Sequence, residues 1–156
     1  MQSSPTRLVI AWMVGFALLA VALAPHRVEG QAHAALPDSA FDAKSNGELR
    51  RIVDSARANG LPTAPLVSRT LQGVARHVTG PRVVALVRAH ADSMRAARYA
   101  LGALSSADEL DAGATALRAG ASRLALRRMR TTRAPGEATT ALVVLTDLLS
   151  RGIKVS

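Results

Sequence analysis

Three arginines, Arg123, Arg127 and Arg130, recur at i, i+4 and i+7. On a helix that spacing brings three guanidinium groups onto one face. Arg128 and Arg133 flank them, Arg118 precedes them, and no Asp or Glu occurs between Asp111 and Glu137. A guanidinium is a rigid planar fork that matches phosphate oxygens two at a time. The chemistry this stretch offers is therefore the binding of anionic partners: phosphate-bearing lipid, glycolipid or nucleic acid. A solvated basic helix face has the same pattern and stands beside that reading. Insertion into a membrane surface is the weaker alternative, because the intervening Ala125, Leu126 and Met129 make a small apolar face.

The other chemistry-capable groups point away from catalysis. His77 and His90 lack the i+4 histidine or neighbouring glutamate that a helical metal site needs. His90 falls within an apolar stripe, where a buried, hydrogen-bonded imidazole is expected. Asp108, Glu109 and Asp111 lack the alternating oxygens and closing glutamate of a calcium loop, and acids in a first helical turn complement the helix dipole. No Gly-x-Ser-x-Gly turn and no phosphate-cradling glycine loop occur. There is no cysteine, which removes disulfides, thiol catalysis and Cys-ligated zinc. No catalytic residue, metal or cofactor is assigned, and an enzyme is the distant third reading.

Positioning of the arginines falls to a run of short helices. Ser45-Asn46-Gly47-Glu48 is a capping-box pattern that predicts a first helix start, with Leu49, Ile52, Val53 and Ala56 at helical spacing. A second helix follows Thr63 with the stripe Val67, Leu71, Val74 and Val78. The third and longest runs from Pro81 to about Leu101. Ser106 to Glu109 is a second capping box, opening a fourth helix that ends near Gly120. Residues 122–130 form the fifth, which carries the arginines. The sixth spans 137–151; its leucines and valines surround most of its girth, so it is expected to be the most buried. Gly60, Gly80, Gly102, Gly120 and Gly152 are read as helix ends. The fold class is all-α, a small bundle or short array of five to six antiparallel helices. The glycine spacing fits helical hairpins or a repeat array, and no consensus of a named repeat is met.

The compartment comes from the apolar run at residues 8–24, LVIAWMVGFALLAVALA. It carries no charge, follows Arg7, and is short for a spanning helix, so it reads as a secretory signal peptide cleaved after Gly30 or Ala34. An uncleaved anchor, with membrane contact through residues 8–24, is the alternative. Either one exports the remainder, to the periplasm or the cell exterior. The organisation is then 1–30 leader, 31–44 flexible lead-in and 45–156 helical domain. Losing Arg7, Arg27 and Glu29 with the leader lowers the formal charge of +9 by only one. Beyond the leader, Phe41 and Tyr99 are the only aromatics, too few for a base-stacking platform, so no sequence-specific nucleic-acid binding is expected. The function expected is a non-catalytic, exported cell-envelope interaction or structural protein whose partner, an envelope protein or an anionic surface, is not identified; the alternative is a binder of anionic surfaces through the fifth-helix arginines.

Overall fold

In the computed structural model the described residues are Leu36 and residues 40–153, and the leader therefore lies outside them. Six helices and no strand occur among the described residues: α1 (Ala43–Ala58), α2 (Ala64–Ala75), α3 (Gly80–Leu101), α4 (Ala107–Arg118), α5 (Arg123–Thr131) and α6 (Thr139–Ser150). The all-α class holds, and each helix lies within a few residues of its expected span.

The first helix starts earlier than the Ser45–Glu48 pattern predicts. Asp42 is the cap: its Oδ1 accepts from Ser45 N at 2.9 Å and its Oδ2 from the Ser45 hydroxyl at 2.7 Å. A carboxylate wins this position because it satisfies an orphan amide and a buried hydroxyl together. Glu48 is thereby released to pair with Arg88 of α3 at 2.9 Å. At the fourth helix the capping box forms as read, with Ser106 and Glu109 each accepting from the other's backbone N–H.

Four of the six helices end by one rule, with one substitution. At Gly60, Gly120 and Gly152 the chain enters the left-handed region, and the next residue's amide returns to a carbonyl five back. The same closure ends α2, but at His77 (φ 53°), where Val78 N donates to Gly73 O at 3.0 Å. Gly80, expected to end a helix, instead begins α3 and is buried against α1. A Cβ there would lie 2.6 Å from Ser45 Oγ.

α3 is the axis of the fold. α1, α2, α4 and α5 all pack on it, and its buried residues, from Val83 to Leu101, include Val87, His90, Met94 and Ala97. Alanines and glycines set the spacing of its partners. A Cβ on Gly73 would lie 2.5 Å from Val83 Cγ2, and one on Gly113 would lie 3.0 Å from Leu101 Cδ1. That close approach turns α2 so that Leu66, Val67, Thr70 and Gly73 face inward, whereas Leu71, expected in the stripe, is exposed. The buried Thr70 hydroxyl is satisfied by donating to Leu66 O at 3.0 Å.

The sixth helix departs furthest from expectation. Only Leu142 and Leu145 are buried, while Val143 and Val144 stay 56% and 52% exposed. Its main partner is α4 alone, and one partner covers only one stripe of an apolar helix. Burial instead concentrates on α3, which has four neighbours.

Two glycine substitutions separate close packing from backbone entropy. Gly73→Ala must displace Val83 and is expected to destabilise the fold by about 1–3 kcal/mol. Gly47→Ala, in α1 with nothing within 4 Å of the added carbon, is expected to gain about 0.5–1 kcal/mol. Urea unfolding of both variants measures the contrast.

Candidate anionic-partner interface

The arginine-bearing helix is anchored by one side chain and one cap. Ser122 accepts from Ala125 N at 3.1 Å, and Leu126 is fully buried beside Gly113. Fixing Leu126 inward fixes the direction of everything else on nine residues. One turn on, Arg130 falls on the same inner side. Its Nε donates to Leu101 O at 2.9 Å, and its Nη2 lies 2.8 Å from Glu109 Oε1. Neither Nη atom makes a well-aligned hydrogen bond, so Coulomb attraction carries that second contact.

Glu109 is a fully buried carboxylate held by three segments. Its Oε2 accepts from Ser106 N at 3.0 Å, and its Oε1 accepts from Ala138 N at 3.0 Å and faces Arg130. Burial alone pushes such a carboxyl up. Here the amides of Ser106, Ala138 and Gly136, with the Arg130 guanidinium, outweigh it and hold the group below its ordinary value. This residue does more than complement a dipole. Its single sequence signal, the capping box, accounts for one of its contacts and is silent on the other two.

Removing Arg130 from the stripe leaves Arg123, Arg127 and Arg128 on the outward side of α5, all exposed and none in an ion pair among the described residues. Leu124 stands among them, 54% exposed. Arg133 lies just past the helix, exposed, with Nη1 donating to Thr132 Oγ1 at 3.1 Å. The structure thus keeps four of the five arginines singled out in the sequence on the surface and turns the fifth inward. Elsewhere many cations are matched: Asp54, Glu48, Asp92 and Asp147 take Arg57, Arg88, Arg95 and Arg151 at 2.8–2.9 Å. Against that background the outward face of α5 is uncompensated.

His90 is fully buried on α3, with Nε2 2.6 Å from Asp111 Oδ1 of α4. That hydrogen bond, with the positive charge of Arg69 3.9 Å away, outweighs burial and holds the Asp111 carboxyl below its usual value. The ring's other nitrogen is buried and unpartnered, out of reach of any substrate. The pair joins α3 to α4 and presents no accessible base. Spacing could not reveal it, because the partners lie 21 residues apart. The His77 backbone closes α2 and its side chain is exposed. Among the described residues no group of three His, Asp or Glu side chains is arranged to hold a metal ion, and no helix is long and apolar enough to cross a membrane. Between α4 and α6 runs an open groove of about 570 Å³, lined by Asp108, Asp111 and Asp147, by hydroxyls of Thr115, Thr139, Thr146 and Ser150, and by Val143 and Ala112.

Compared with family models, with curated proteins and with solved structures, the chain matches none.

The depressed Glu109 carboxyl makes stability depend on pH with a definite sign. Because its folded value lies below its unfolded one, ionised Glu109 favours the fold. The contribution is complete above the ordinary value of 4.5 and is lost as pH falls from there through the folded value. Glu109→Gln leaves Arg130 without its counter-charge and is expected to cost about 3 kcal/mol at pH 7. Below pH 4 the gap between variant and parent should narrow, as thermal unfolding across a pH series would show.

Proposed function

We propose that this chain is a non-catalytic interaction protein acting outside the cytoplasmic membrane, and that its partner is an anionic surface engaged through the outward face of α5. One observation carries the reading: Arg123, Arg127 and Arg128 are exposed and unpaired among the described residues, on a helix whose orientation is fixed from within by Leu126 and Glu109. Three guanidinium groups on a rigid element attract phosphate oxygens without ordering a loop first. Leu124, exposed in their midst, adds a small apolar contact once the surface is reached. We read the helices as a bundle around α3 rather than a linear array, since four of them share that one neighbour. Export rests on the leader at residues 8–24, cleaved or retained as an anchor.

A second reading, docking of a protein segment, rests on the groove between α4 and α6 and on the exposed Val143 and Val144 beside it. That face is acidic and hydroxyl-lined, so it suits a different partner from α5. The two readings separate by the charge of the partner: an anionic surface is drawn to the α5 arginines and repelled by the carboxylates of the groove, whereas a basic segment has the opposite preference.

Vesicles of phosphatidylglycerol and of phosphatidylcholine provide the test, titrated with the chain as recovered from cells over a salt series. Binding is expected to require the anionic lipid and to fall with salt. Replacing Arg123, Arg127 and Arg128 together by Gln should weaken it roughly a hundredfold, at about 1 kcal/mol for each cation near the surface. Equal binding by the variant would contradict the reading.

A further inference from the structure

A second concentration of positive charge lies away from α5. Arg69 on α2 and Arg76, the residue that caps its end, stand seven residues apart, with Gln72 and Gly73 between them on the same side. Arg118, from the last turn of α4, reaches the same place. Together with Val78 and Leu86 they line a recess of about 150 Å³. Each guanidinium has at most weak protein support. Arg69 donates to Thr115 Oγ1 at 3.3 Å and lies 3.9 Å from Asp111, which already serves His90 at 2.6 Å. Arg118 donates to Leu86 O at 3.3 Å, and the Arg76 side chain, which is exposed, has no partner among the described residues.

We propose that Arg69, Arg76 and Arg118 form a binding pocket for a compact oxyanion of the phosphate-monoester class, free or at the head of a larger molecule. The fold brings three like charges to one small recess with a single, shared carboxylate at its edge. Without a ligand that arrangement costs energy: burial lowers the affinity of Arg69 for its proton, the Asp111 charge restores part of it, and the Arg118 charge lowers it again. A bound oxyanion would offset both effects and accept the forked hydrogen bonds that neither Thr115 nor Leu86 fully uses. Size sets the class. Pockets for drug-sized ligands begin near 300 Å³, so this one takes a tetrahedral head and leaves any remainder outside. This pocket does not depend on the α5 reading, since it uses other helices and other arginines.

Equilibrium dialysis of the full chain against labelled inorganic phosphate, at constant ionic strength set by chloride, tests it. One saturable site per chain is expected. Arg76→Gln, which removes an exposed side chain with no protein partner, should weaken that site at least about tenfold, the worth of one charge-assisted hydrogen bond. Arg118→Gln should do the same, which guards against a folding defect in either variant, and Arg127→Gln should leave it unchanged. Vesicles carrying phosphatidic acid form the second arm. Capture that needs Arg76 and is competed only weakly by phosphate assigns the pocket to a lipid headgroup; phosphate binding with no such capture assigns it to a free oxyanion. Absence of saturable phosphate uptake together with Arg76-independent vesicle binding overturns the proposal, as does uptake that survives both pocket variants.

Discussion

The buried carboxylate of Glu109 is the constraint on which the second half of the molecule depends. One side chain satisfies the start of α4 through Ser106, the start of α6 through Ala138 and the end of α5 through Arg130. An ionised group in an aliphatic interior is costly unless its oxygens are fully occupied. Here backbone amides and a guanidinium occupy them, so the three helix ends converge on the one point where the charge can be tolerated. The orientation of α5 follows from this. By drawing Arg130 inward, Glu109 and Leu126 together rotate the helix, and that rotation selects which of its arginines meet solvent.

Around α3 the governing constraint is distance. A core with few aromatics must be filled by helices that approach closely, and small residues at the crossings permit it: Gly73 against Val83, Gly113 against Leu101 and Ala97, Gly80 against Ser45. Each buried polar residue has at least one built-in partner, as with Thr70 on Leu66 O and His90 Nε2 on Asp111. Arginines close several gaps by donating to carbonyls at helix ends, Arg98 to Gly60 and Arg130 to Leu101 among them. Part of the strongly basic composition is thus structural cement, and part is matched by carboxylates on the surface.

How far the sequence discloses this depends on whether the deciding interaction is local. The six helices, the Ser106–Glu109 box and the glycine ends at Gly60, Gly120 and Gly152 are set within five residues, and all were readable. Asp42 outcompetes Ser45 as a cap because a carboxylate can hold an amide and a hydroxyl at once, a contest that pattern alone leaves undecided. His77 closing α2 was hidden by residue type, since the left-handed position is usually given to glycine. The inward turn of Arg130, the His90–Asp111 pair and the Arg69–Arg76–Arg118 recess join residues far apart in sequence. Periodicity places a residue on a face, but only packing says which neighbour that face meets. The exposed valines of α6 make the same point: an apolar helix is buried only as far as it has partners.

The central claim is that α5 divides its arginines between holding the fold and binding. Comparing Arg130→Gln with Arg127→Gln for both stability and attachment to phosphatidylglycerol vesicles tests that division most directly. The account predicts that Arg130→Gln lowers the unfolding midpoint and leaves the affinity of the folded protein within about twofold, while Arg127→Gln leaves stability unchanged and weakens attachment about fivefold. Equal losses of affinity in both, with no change in stability for Arg130→Gln, would contradict it.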